Sequence, residues 1–172
     1  MAKYTGASAS AGIAIILPAT TGGHPTLWNP TDSGVYAHVR LVELSYVSGN
    51  NAPCALEWAA VTNTGAAVAT GAPIATATLV APTGKLGEGV NNRVKWSPTT
   101  NTFTAAPVFI RPAGISLFTG VAATAVAPFV LRAAYEQDDF VLAPGSAVCL
   151  CNQTTTTTAL FQVGVTWEEI AA

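Results

Sequence analysis

The sequence predicts an all-β protein, an antiparallel β-sandwich of the jelly-roll type in a single domain. Three observations carry that expectation. Runs of Ala, Thr and Val recur from end to end, clusters of Gly, Pro, Asn and Ser interrupt them, and no segment shows a capped, amphipathic helical period. At 172 residues the chain can bury one good core and is short for two ordinary domains.

In chain order, strands are expected over residues 11–17, 25–28, 35–47, 54–61, 74–80, 93–97, 106–111, 129–134, 140–142, 147–151 and 159–168. The last is the clearest: Phe161, Val163, Val165 and Trp167 alternate with Gln162, Gly164, Thr166 and Glu168, the period of a half-buried antiparallel strand. In the third, Val35, Ala37, Val39 and Leu41 share one phase and Val42, Leu44 and Tyr46 the other, so a β-bulge is expected near residues 41–43. The long excursions over 60–71 and 97–106 favour Greek-key crossings over simple hairpins. The Thr-rich patches 99–104 and 154–158 read as loops or solvated strand edges.

Residues 1–10 read as an N-terminal arm ahead of a jelly-roll domain over 11–172. Gly, Ala and Ser leave the arm too little apolar surface to fold alone, so it is expected to lie against another subunit, with Lys3 and Tyr4 as its partner-binding side chains. The first residues lack a basic stretch followed by an apolar run of signal-peptide length, which points to cytoplasmic synthesis without processing.

Charge is scarce. Lys, Arg, Asp and Glu make up 9% of the chain, where soluble domains carry about 25%, and the apolar fraction is 50%. A surface so poor in charge is expected to be covered by copies or partners. A membrane helix is not the explanation, because it needs about 20 consecutive apolar residues and the longest such run here is strand-sized, over 13–17. Nucleic acid is not expected as a partner either: the net charge is −2 and the seven basic residues are scattered.

Groups able to do chemistry are few. His24 sits in the turn signature Gly22-Gly23-His24-Pro25 and reads as a loop imidazole, while His38 lies mid-strand beside Arg40 on the more polar face. Cys149 and Cys151, two apart on a strand, point to one face. They lack the second ligand pair of a zinc site and read, like Cys54, as buried thiols. The acidic run Glu136-Gln137-Asp138-Asp139 lacks the alternating oxygen ligands of a calcium loop and reads as a solvated turn. Gly84, Gly87 and Gly89 open no helix that could cradle a phosphate. No catalytic residue, cofactor or metal is therefore expected, and the chain reads as no enzyme. Trp28, Trp58, Trp96 and Trp167 are assigned to the core.

Two stretches carry a resemblance. Phe140-Val141-Leu142-Ala143-Pro144-Gly145-Ser146-Ala147-Val148-Cys149-Leu150 resembles the strand, Pro-Gly turn, strand element of viral and tumour-necrosis-factor-like jelly rolls. Phe161-Gln162-Val163-Gly164-Val165-Thr166-Trp167-Glu168-Glu169-Ile170 resembles the closing strand of small tailed-phage virion proteins, and Leu27-Trp28-Asn29-Pro30 and the segment 97–103 add to the likeness. The chain thus resembles tailed-phage capsid decoration, or cement, proteins. That resemblance implies a homotrimer on the capsid surface of a virion, made in the host cytoplasm. Its partners would be its own copies and the major capsid protein or other virion subunits, with the N-terminal segment against the shell. The alternative left open is a tail or fibre protein that binds a host receptor or glycan, which an exposed Trp28 or Trp96 would favour.

Overall fold

A computed structural model of the chain describes residues 2–49, 54–61, 82–84, 92–117, 130–136, 138–153 and 159–172. The strand expected over 74–80 and the patch 154–158 lie outside them. All regular structure among the described residues is β, and no helix there is long and apolar enough to cross a membrane. The strands are β1 (Ala2–Ala7), β2 (Thr21–Gly23), β3 (Thr26–Trp28), β4 (Val35–Ser48), β5 (Cys54–Ala60), β6 (Lys95–Ser97), β7 (Thr100–Thr102), β8 (Val108–Leu117), β9 (Val130–Ala134), β10 (Val141–Leu142), β11 (Ala147–Asn152) and β12 (Leu160–Ala171).

They form two five-stranded antiparallel sheets packed as a β-sandwich. The first runs β1-β12-β4, with β9 and β10 in line along the far edge of β4; the second runs β6-β3-β11-β5-β8; β2 and β7 make a separate ribbon. The pairing is nested. β1 joins β12, β3 joins β11, β4 joins β9 and β10, and β5 joins β8, every pair antiparallel.

The alternation of β12 puts Phe161, Val163 and Val165 into the core, and Trp167 follows them after a register shift beyond Thr166. On β4 that shift makes Arg40 the extra residue: Thr166 pairs with Leu41 and Trp167 with Val39. The bulge expected at 41–43 therefore sits at Arg40, and it rephases the strand so that Val39 and Val42 both face inward. Leu27, Leu56, Trp58, Trp96, Val148 and Leu150 fill the core from the second sheet. Trp58, Trp96 and Trp167 are completely buried, as the sequence leads one to expect.

A buried carboxylate ties the last strand to β6. Glu169 accepts hydrogen bonds from the backbone N–H of Arg93 at 3.1 Å, from that of Val94 at 2.9 Å and from Trp167 Nε1 at 3.3 Å. These donors satisfy a charge that burial alone would disfavour.

Two expectations are corrected. The segment 11–17 forms no strand; it makes an isolated bridge between Ile13 and Phe161. Residues 2–7, read as an arm outside the domain, are β1, an integral strand of the first sheet with Tyr4 paired to Trp167. The physical reason is a steric fit. Tyr4 is buried with its ring centroid 6.0 Å from that of Trp167. At Gly6 the absent side chain leaves room for Trp96, where a Cβ would lie 2.6 Å from Trp96 Cγ.

Tyr4→Ala is expected to cost about 3 kcal/mol, the usual loss for truncating a buried aromatic side chain, whereas exposed Lys3→Ala leaves stability unchanged. Chemical denaturation checks the pair; equal, small effects would return residues 2–7 to the status of an arm. Gly6→Ala should cost about 1–3 kcal/mol through overpacking against Trp96 and lower the melting temperature by several degrees, and an unchanged melt would contradict the close approach.

Candidate functional site: a buried thiol–imidazole cluster and two unlike sheet edges

The inner strands β3 and β11 of the second sheet are buried on both faces. Along β11, Val148 and Leu150 enter the main core, while Ala147, Cys149 and Cys151 face the other way into a smaller cluster with Trp28, Ala59, Val61 and Phe103. His24 is brought there by the segment between β2 and β3. Gly23 allows this path, since a Cβ on it would sit 2.9 Å from the carbonyl carbon of Ala14. A buried polar network then fixes the backbone: Thr26 Oγ1 donates to His24 O at 2.6 Å, Asn101 Nδ2 donates to the same oxygen at 2.7 Å, and Ser97 Oγ donates to Asn101 Oδ1 at 2.7 Å. Phe103 stacks on the imidazole at 5.7 Å and 27°.

His24 thus sits in the connection between β2 and β3, as expected, yet is completely buried. Its Nδ1 lies 3.5 Å from Cys151 Sγ, and Cys151 Sγ lies 3.7 Å from Cys149 Sγ, which in turn is 3.7 Å from Ala59 O. The thiols share one face and are free, as their spacing implies. Their environments push them apart. The neighbouring Cys149 S–H, with help from His24, lowers Cys151 to about 6 against the opposing effect of burial, whereas burial, together with Cys151, raises Cys149 well above the ordinary thiol range.

A thiol beside an imidazole is the pairing of a nucleophile with its base. Both groups here have zero solvent exposure, so no substrate has a path to Cys151 Sγ in this conformation. Among the described residues no group of three or more His, Cys, Asp or Glu is arranged to hold a metal. In this conformation the cluster is sealed within the smaller core, with a polar seam of His24, Cys149 and Cys151.

The two sheets end together at two edges. At one, Gly6 of β1 lies against Trp96 of β6, and Arg93 and Lys95 line a cleft of about 490 Å³ with Asp32 and Asn92. At the other, Arg111 of β8 lies over the rings of Tyr135 and Phe140 at 5.4 and 5.3 Å and donates from Nη1 to Asp139 O at 2.6 Å. This second edge exposes Val108, Phe109 and Ile110 by 51%, 38% and 49%. Beside it, Glu136, Asp138 and Asp139 form the exposed turn expected from the sequence, with Asp138 Oδ1 3.0 Å from His38 Nδ1. Ile110 is exposed because β8 bulges there: Arg111 pairs with Trp58 and Phe109 with Ala59, which leaves Ile110 unpaired.

Lys3 and Tyr4, expected to bind a partner together, are separated by the pleat of β1. Tyr4 belongs to the core, and Lys3 remains exposed in register with Glu168, whose carboxylate is held by Arg40 at 2.6 Å. Sequence reasoning missed the apolar strip, although Val108-Phe109-Ile110 was visible as a run. It also missed the doubly buried face, which the unbroken apolar stretch Ala147-Val148-Cys149-Leu150-Cys151 does signal. No protein-family model, no curated protein and no solved structure matches the chain.

The lowered thiol sets a pH dependence. Cys151 ionises near pH 6 in the folded state and near about 8.5 when unfolded, so within that window the folded protein binds fewer protons and stability rises with pH. It is lost as pH falls through 6, and above the window protonated Cys149 reverses the sign. Urea unfolding should show a gain of about 2 kcal/mol from pH 6 to pH 8 that Cys151→Ala lacks; the same gain in the variant would contradict the assignment.

Proposed function

We propose that this chain is a virion structural protein, a capsid decoration (cement) protein that stabilises a phage head by binding its outer shell as an oligomer, most simply a homotrimer. The observation that carries the reading is the exposed strip Val108, Phe109 and Ile110 on a chain with only 9% charged residues. Contiguous apolar surface of this kind on a charge-poor protein marks a surface meant to be covered. The nested pairing of first strand with last, and so inward to β5 with β8, supports the jelly-roll winding that such a role commonly uses.

The mechanism in this reading is buried area. Apolar contact contributes about 25 cal/mol per Å², and association costs remove much of it, so modest contacts repeated over many copies hold a shell where one alone would not. No catalytic group, cofactor or metal enters. The major capsid protein or another virion subunit is the partner, with Lys3 on the outer face of the first sheet available to it. A tail or fibre protein that stacks a glycan on tryptophan finds less support, because Trp96 is completely buried and Trp28 is 9% exposed.

Antibody labelling of virions from the source culture, read by electron microscopy, tests the proposal. Label spread over the head is the expected result; label confined to the tail would support the tail reading, and no label on any particle would remove both.

A further inference from the structure

We infer that copies of this chain join head to tail through two unlike edges. The Val108, Phe109 and Ile110 strip of one copy meets the β1/β6 edge of the next, and the acidic turn faces Arg93 and Lys95. This rests on the oligomer of the preceding proposal and says which surfaces build it.

Strand pairing is not how the edges meet. β8 carries Pro112, which has no N–H to give, and it is broken by register shifts at Ile110 and again between Pro112 and Ile115. On the opposite edge, the outward hydrogen bonds of Thr5 go to Thr83, each at 2.8 Å. Both edges are blunted as templates, so the apolar side chains that β8 still exposes make contact as side chains.

The opposite edge offers a matching hole. A shallow cleft of about 180 Å³ lies there, lined by Ala9, Ile13, Pro98, Thr99 and others, and more of its surface is apolar than polar. It is large enough to take an aromatic ring such as that of Phe109. Charge follows the same arrangement. Glu136, Asp138 and Asp139 flank the apolar strip through the Arg111 contact to Asp139. Arg93 and Lys95 lie on the same β1/β6 edge, in the cleft with Asp32 at the start of β6, while Pro98 and Thr99 follow its end. One edge thus carries the apolar strip and the acidic turn, and the other carries the apolar cleft and, further along β6, the Arg93 and Lys95 pair. Because the two surfaces differ, the contact is heterologous, and repeated copies close into a ring when the rotation allows.

Four variants test this, with oligomeric mass measured over a dilution series and melting used to confirm that each is folded. Phe109→Glu and Thr99→Glu, both at exposed positions, should each raise the dissociation constant by about 30-fold or more, the size of a hot-spot loss. Glu136→Lys should weaken assembly by placing like charges together, and Lys95→Glu in the same chain should restore it. Loss with Phe109→Glu but not Thr99→Glu would mean that the strip meets a like edge across a two-fold axis, which overturns the head-to-tail arrangement. A wild-type oligomer indifferent to all four variants, or a double charge variant as weak as the single, would overturn it as well. A wild-type monomer at micromolar concentration would instead remove the oligomer on which it rests.

Discussion

The pairing of β4 with β12 is the constraint on which the rest of the fold depends. Leu160 through Ala171 run against Val35 through Ser48, and each strand then carries a further neighbour, β1 on β12 and β9 with β10 on β4. The inward faces of this ladder supply Val39, Val42, Leu44, Phe161, Val163, Val165 and Trp167, one wall of the core. Its far end is fixed twice, by Glu169 gripping the backbone at Arg93 and Val94 and by the backbone bond from Ala172 to Gly34 O. The Arg40 bulge adds the twist that lets one long strand keep a buried face past its midpoint.

How much of this was legible depends on where the information sits. Strands with strong alternation or dense apolar runs, such as β4, β5, β11 and β12, could be read to within a few residues, because side-chain period is local. β1 could not. Its inward residues are Tyr4 and Gly6, and Gly6 is required by Trp96, which is remote in sequence. The segment 11–17 failed the other way: Ile13, Ile15, Ile16 and Leu17 are apolar enough for a strand, yet only Ile13 finds a bridging partner on β12. His24 sits in the connection between β2 and β3, as its turn signature implies, but its burial is not legible locally, since the lid over it comes from Phe103 and the β7 ribbon, again far along the chain.

The two buried polar groupings play different parts. Glu169 is a charge whose partners are backbone donors and an indole, an arrangement that pins strands in register. The Cys149, Cys151 and His24 seam lies on the outer face of the second sheet and is sealed by packing. Among the described residues, the features facing solvent include an apolar strip, an acidic turn and a cleft holding Arg93 and Lys95. On so weakly charged a chain, the proposed association between copies rests on these features and on their separation onto opposite edges of the sandwich.

Hydrogen exchange followed over a dilution series tests most directly the claim that the edges are covered by other copies. The account predicts that amides near Val108 to Arg111 and those near Thr99 and Thr100 gain protection together as concentration rises, while the β4 and β12 amides stay protected throughout. Exchange at both edges that is fast and independent of concentration would contradict it.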